Sequence, residues 1–333
     1  AIDLKSDQGR ELVMKLLPEC DIVVENFAPG VLERLGFGYE ALKAANPAII
    51  LGQIKGFGST GPYADYKSFD ATAQAAAGVF STTGERDGPP IYPGTTLGDS
   101  GTGVQLGMAL LAAYIQRLRT GEGQCVEISM QEAVTYFMRT RICQNETWGG
   151  KAVPRNGSNL GVPPIGLYPC KPFGPNDYIY LFATTDGQWD MLCVLTDNPE
   201  LLADERYMTP QGRLKHREPL VEALSEWTRS KTKFEAMQIL GEAGVPCSAV
   251  LDTKELHENE HLRERGFVQD VELPVHGKVP MLGFAPRLSA SEVAIEPAPR
   301  LGEHTRDVLA RELNLSEADL DALQEQGVIG HHG

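Results

Sequence analysis

Short β-branched apolar runs alternate with helical periods along the first 150 or so residues, and each run ends in glycine or a polar cluster. Asp21-Ile-Val-Val-Glu25 precedes a helical stretch from Val31 to Ala45. Ala48-Ile-Ile-Leu-Gly-Gln-Ile54 is closed by Gly56 and Gly58, and a small-residue helix from Ala71 to Val79 and a long apolar helix from Ser100 to Arg119 follow it. Cys125-Val-Glu-Ile-Ser129 is the third run and leads into a helix from Met130 to about Trp148. Runs that are apolar at successive positions, joined through helices, pack as a parallel sheet covered on both faces. Ahead of them, Ala1 to Lys5 alternates as a strand, and Ser6-Asp7 reads as the cap of a helix reaching Leu17.

Composition shifts between Gly149 and Pro175, where prolines and glycines crowd together as in a linker. A strand at Tyr178–Phe182 opens a second region, with helices expected over Gln188–Leu195, Arg217–Arg229 and Lys233–Ala243. Phe267 to Ser289 alternates in strand fashion, and Arg306 to Gln326 closes the chain with two short helices. The organisation expected is a large α/β domain over 1–148, a linker over 149–175 and a smaller α+β domain over 176–265. A return linker and C-terminal helices over 266–333 would then pack on the large domain.

The charge balance of 30 Lys/Arg against 45 Asp/Glu, net −15, gives a field that repels phosphate. That argues against nucleic acid and anionic membrane as partners and leaves only individually placed cations for an anionic ligand. The longest apolar run, Val104 to Ile115, is interrupted by Gln105 and falls short of the roughly 18 residues of a membrane span. No secretory signal is visible at the start. Six scattered cysteines without a C-x-x-C pair read as reduced thiols of a cytoplasmic protein rather than a zinc or disulfide framework. His257 and His261 are spaced as helix neighbours, but Glu258 and Glu260 make that stretch a solvated face, so no metal is expected.

Three segments gather glycine and polar groups at the carboxyl ends of expected strands, where open α/β sheets bind their ligands. Glu25-Asn-Phe-Ala-Pro-Gly30, taken alone, reads most simply as a capped βα turn. Lys55-Gly-Phe-Gly-Ser-Thr-Gly-Pro62, running on to Asp70, lets backbone N–H groups approach a ligand and offers lysines to a phosphate. It matches neither a Walker A loop nor a dinucleotide fingerprint. In Leu97-Gly-Asp-Ser-Gly-Thr-Gly103, Asp99 stands where an N-cap belongs, and capping worth ~1 kcal/mol accounts for a lone aspartate before a helix. Glycines at 98, 101 and 103 exceed what a cap requires, and the helix behind is apolar on every side. A poorly hydrated carboxylate near free backbone N–H groups can attack an activated acyl carbon.

Taken together, these segments resemble the class III CoA-transferase family, also called CaiB–BaiF, of which formyl-CoA transferases are the best-known type. The resemblance rests on Asp3-Leu4-Lys5, Val24-Glu-Asn-Phe-Ala-Pro-Gly30 with Leu35-Gly36, Ile54-Lys-Gly-Phe-Gly58, Thr82-Thr-Gly84 and Asp87-Gly-Pro-Pro90. It continues through Leu97-Gly-Asp99, Thr120-Gly-Glu-Gly-Gln124, Gly244-Val-Pro246 and Leu301-Gly-Glu-His-Thr305, and so covers almost the whole chain in order. It implies a Rossmann-like large domain that binds CoA, a smaller domain, and an interlocked homodimer. It also implies coenzyme A as substrate, with acyl-CoA and small carboxylic acids as reactants. By the same resemblance Asp99 is the catalytic aspartate, carrying CoA as an aspartyl thioester. Ile2 and Lys5 match the adenine and ribose-phosphate end, and Asn26, Phe27 and Arg34 match the turn that holds the nucleotide. Lys67 matches a basic contact along the pantetheine path, and Met130 lines the acyl site.

The chain departs from the family pattern in three places. Related α-methylacyl-CoA racemases carry His just before the position of Asp70, where this chain has Phe69; without a second proton carrier, transfer is expected over racemisation. The glycine-rich loop of formyl-CoA transferases has no clear counterpart, Arg155-Asn-Gly-Ser-Asn159 being the nearest, so a formate and oxalate specificity is not carried over. The family normally has roughly 70 further residues before the equivalent of Ala1, a leading strand–helix unit and loop. On that expectation the chain lacks the usual leading segment, which leaves a catalytically silent CoA-binding protein as the alternative to an enzyme.

Overall fold

The computed structural model describes residues 1–143, 150–155, 157 and 161–330. The far end of the helix expected to reach Trp148, and most of the loop Arg155–Asn159, lie outside the described residues. The chain divides into two compact units, one formed by Ala1–Arg155 with Pro299–Gly333 and the other by Asn156–Ala298.

The first unit runs α1 (Asp7–Leu16), β1 (Ile22–Glu25), α2 (Val31–Arg34), α3 (Tyr39–Ala45), β2 (Ile50–Lys55), α4 (Asp70–Ala76), α5 (Val79–Thr82), α6 (Asp99–Thr120), β3 (Cys125–Ser129), α7 (Met130–Phe137) and α8 (Arg139–Ile142). Its strands form a parallel sheet in the order β1-β2-β3, with Val24 opposite Gly52 and Gly52 opposite Val126. The central strand is the apolar one, and alternate side chains serve opposite faces. Leu51 joins Leu17, Leu32, Phe37 and Leu42 on one side, while Ile50 joins Leu106, Leu110 and Ala113 of α6 on the other.

Several local expectations change, among them the helix expected from Met130, which ends at Phe137 and is followed by α8, and the helix expected over Ala71–Val79, which ends at Ala76 and is followed by α5. The stretch Val31–Ala45 is two helices rather than one, because Gly36 takes φ +87°, which a side chain resists, and the chain turns before Tyr39. Ala1–Lys5 forms no strand ladder: Ile2 makes one isolated bridge to Ile329 and packs with Leu12, Leu309 and Leu320. Alternation there reflects two separate apolar contacts, since Leu4 turns to the Leu17 cluster instead.

The second unit holds the antiparallel sheet β4 (Gly166–Pro169), β5 (Tyr178–Leu181) and β6 (Cys247–Ala249), in that order. Helices α9 (Asp186–Leu195), α10 (Pro210–Lys215), α11 (Arg217–Arg229) and α12 (Lys233–Glu242) belong to the same unit, whose core draws on strands and helices alike, with Tyr168, Ile179, Leu192, Leu220, Leu224 and Leu240 essentially inaccessible. Next come α13 (Thr253–Glu258), α14 (Glu260–Glu264) and the hairpin β7 (Val268–Leu273) to β8 (Gly277–Leu282). His257 and His261 fall on two helices because Asn259 caps the second, so they share no helix face. Helices α15 (Thr305–Leu313) and α16 (Glu317–Glu325) return to the first unit, where Leu309 and Leu320 pack with Leu12 of α1. No helix among the described residues is long and apolar enough to cross a membrane.

Candidate active site

At the carboxyl ends of β1 and β2, the turn after each strand and the head of α6 enclose a cleft of about 360 Å³. Asn26, Phe27, Ala28 and Pro29 form one wall, and Ile54, Lys55, Gly56 and Tyr66–Phe69 another; Asp99 and Met130 complete the lining. The location follows from topology, since every parallel strand ends on the same side and the loops there converge.

Asp99 is exposed and occupies the first helical position of α6, not the capping position. The residue before it, Gly98, already has helical backbone angles, and the Asp99 side chain caps nothing. The capping acceptor comes from another helix: the Asp99 N–H donates to Asp70 Oδ1 at 3.1 Å. Asp70 is fixed in turn, because its Oδ2 accepts from Gln74 Nε2 at 2.7 Å and from the Tyr92 hydroxyl at 3.0 Å. That hydrogen bond to Asp70 holds the Tyr92 phenol above its ordinary pKa. Glycine at 98 follows from this contact: a Cβ there would sit 2.6 Å from the Asp70 carbonyl oxygen and 2.9 Å from its Oδ1.

The free N–H groups expected beside Asp99 are already engaged. Ser100 N–H donates to Thr96 O at 2.8 Å and Gly101 N–H to Leu97 O at 3.1 Å, because the helical turn begins ahead of Asp99. Nor is α6 buried all round. Thr102, Leu106, Leu110 and Ala113 face the sheet, whereas Val104, Met108, Leu111, Ile115 and Leu118 stand on the opposite side, exposed by half or more.

Five of the residues singled out in the sequence line this one cleft, namely Asp99, Asn26, Phe27, Lys67 and Met130. Three are not among its lining. Ile2 is held in the C-terminal apolar cluster, Lys5 is exposed at the start of the chain, and Arg34 is exposed and folds back toward Gly30 of its own turn. Of the two lysines offered to a phosphate, Lys67 is exposed in the cleft, but Lys55 is buried and paired with Glu25 at 2.7 Å. Sequence reasoning missed the Asp70–Gln74–Tyr92 cluster and the Glu25–Lys55 pair: only Asp70 and Gln74 are local, as an i,i+4 pair, and the other partners are distant in sequence. Among the described residues, no group of three or more His, Cys, Asp or Glu side chains is placed to hold a metal ion.

Comparison with known proteins adds an independent line. A model of CoA-transferase family III matches residues 1–305. The formyl-CoA:oxalate CoA-transferase of Rhodopseudomonas palustris is 38% identical, over 98% of this chain and 81% of that protein. The enzyme of the same description from Streptomyces coelicolor is 37% identical, over 98% and 83%. Among solved structures, a CAIB/BAIF family protein from Brucella suis superposes with a TM-score of 0.81 at 31% identity, covering 93% of this chain and 80% of that one. The Mycobacterium tuberculosis protein Rv3272 shares the fold at a TM-score of 0.78 and 24% identity, covering 92% and 81%. A family model spanning most of the chain, and relatives more than one-third identical along nearly all of it, make this chain a member of the class III CoA-transferases, enzymes that pass CoA from an acyl-CoA to a carboxylate.

Proposed function

We propose that the reaction runs through Asp99. Its carboxylate attacks the carbonyl carbon of the donor acyl-CoA, the C–S bond breaks, and a mixed anhydride and CoA thiolate result. The thiolate then attacks the Asp99 carbonyl and expels the donor acid as its carboxylate, leaving an aspartyl-CoA thioester. An acceptor carboxylate reverses the two steps, gains CoA and frees Asp99. No proton is transferred at any stage, which suits a cleft whose lining includes no histidine.

The observation that carries this reading is a carboxylate with no helix-capping duty at the mouth of a cleft large enough for a thioester arm. Lys67 supplies a cation on the approach, and Asn26, Phe27 and Met130 stand along the same wall system. Because the N–H groups of residues 99–101 are engaged, the first turn of α6 offers no backbone hydrogen bond to the tetrahedral oxyanion. Phe69 lines the cleft with 79% of its surface exposed and carries no proton, which favours transfer over racemisation. Small carboxylic acids are the acceptor class, with oxalate and formate the first to try because the relatives named above use them; the site of action is the cytoplasm. The test is incubation with acyl-CoA followed by mass analysis and hydroxylamine cleavage. A CoA-sized adduct on the peptide bearing Asp99 is expected; turnover with no adduct at that residue overturns the proposal.

The same reading makes the enzyme a homodimer. The exposed residues of α6 follow one another at intervals of four, three, four and three, the a/d seam of a helix that meets a partner. The parent is expected to have the mass of two chains by light scattering, and replacing Leu111 and Leu118 together by Glu is expected to lower the thermal midpoint of that dimer; a parent with the mass of one chain overturns the homodimer, and an unchanged midpoint places the interface elsewhere.

A further inference from the structure

We propose that the buried Glu25–Lys55 pair is a positioning device for the Asn26–Phe27 turn, and so sets the affinity for the CoA moiety. The inference rests on the reading of the cleft as a CoA site. The two side chains are 2% and 7% exposed, and Lys55 Nζ lies 2.7 Å from Glu25 Oε1. Both polar backbone atoms of Phe27 are held by this pair. The Phe27 N–H donates to Glu25 Oε2 at 2.8 Å, and its carbonyl accepts from Lys55 Nζ at 3.1 Å. Gln53, directly opposite Glu25 in the strand register, donates to Glu25 Oε1 at 2.8 Å and completes the clamp. The backbone at the lip of the cleft is therefore fixed on both sides of Phe27, while the ring itself remains well exposed.

Stability alone gives little reason for such an arrangement. A buried ion pair is often replaceable by apolar side chains with no loss, whereas removing one partner strands the other charge. A second buried lysine provides the contrast. Lys233 bonds to Asn176 O, Val250 O and Glu255 inside the second unit and thereby ties strands and helices of that core together. Lys55 makes its backbone bond to a turn that borders the cleft.

The experiment uses the full chain and coenzyme A itself as titrant, with binding followed by calorimetry. The double substitution Glu25→Leu with Lys55→Met removes both charges together and so avoids a stranded ion. It is expected to keep the thermal midpoint within a few degrees, to speed amide hydrogen exchange at Phe27, and to weaken CoA binding by about tenfold or more. Lys55→Arg keeps a cation able to reach Glu25 and is expected to lose less affinity than the double variant. A folded double variant that binds CoA as tightly as the parent overturns the clamp, as does an affinity loss without faster exchange at Phe27. A parent chain that binds no CoA overturns instead the reading of the cleft on which the clamp depends.

Discussion

Asp252 and Asp99 both open helices, and they do opposite things. Asp252 Oδ1 accepts from the Glu255 N–H at 2.8 Å, and Glu255 Oε2 accepts from the Asp252 N–H at 2.8 Å, a closed capping box that satisfies two orphan donors. Thr185, Thr232 and Ser316 begin their helices in the same way. At α6 the acceptor for the Asp99 N–H is the carboxylate of Asp70, twenty-nine residues earlier in the chain. On the proposed reading of Asp99, the difference accounts for how an aspartate at a helix start is left available for chemistry. A capping side chain is turned back on its own backbone, whereas one whose capping is done by another helix can face a ligand. It also explains why the head of α6 needs glycine just before the aspartate, where a side chain would collide with Asp70.

The largest effect that tests this contrast is the loss of the free carboxylate. Asp99→Asn keeps size and backbone and removes only the proposed nucleophile. CoA transfer is expected to fall by roughly 10³-fold or more with an unchanged thermal midpoint, measured by steady-state assay and calorimetry. Near-parental turnover in the Asp99→Asn enzyme would remove the basis for separating the two helix starts. Next in size is Gly98→Ala. Its methyl group would lie 2.6 Å from the Asp70 carbonyl oxygen, so α4 and the head of α6 must move apart. A displacement of this order is expected to lower turnover by about 10²-fold. It should also cost about 1–3 kcal/mol of stability by denaturant unfolding. Parental activity and stability together would show that the Asp70–Asp99 contact is incidental.

Much of this architecture is legible in the sequence, and the reason is burial. A parallel strand covered on both faces must be apolar at successive positions, so β2 declares itself as a run, and the ends of its neighbours declare the ligand side. Asp99 is visible as a candidate because glycines and an apolar helix surround it. Its supporting residues are not. Asp70 reads as the residue before a small-residue helix, and only the meeting of the start of α4 with the head of α6 brings its carboxylate to the Asp99 N–H. Lys55 reads as a phosphate cation, whereas the register that sets Gln53 beside Glu25 also brings Lys55 within reach of that carboxylate. Local pattern carries periodicity and turn chemistry; it carries no information on which distant carboxylate will meet which donor. The exposed face of α6 is hidden for a related reason, since apolar residues on every side of a helix look the same whether they meet a sheet or solvent.

The smallest expected effect sharpens the comparison from its other end. Asp252→Ala removes an acceptor used only within its own capping box, so it should behave as a cap and nothing more. A loss of about 1 kcal/mol is expected in denaturant unfolding, in line with other N-cap substitutions. Glu255 would still have Lys233 Nζ at 2.7 Å, so the neighbouring ion pair survives the change and limits the damage to the helix start. Turnover and CoA affinity should stay at parental values at a temperature well below the midpoint. If the Asp252→Ala enzyme instead lost transfer activity while remaining folded, then a capping aspartate in the second unit would also matter to the chemistry. The distinction between a carboxylate engaged by its own helix and one left free for substrate would then no longer separate structural from reactive positions in this protein.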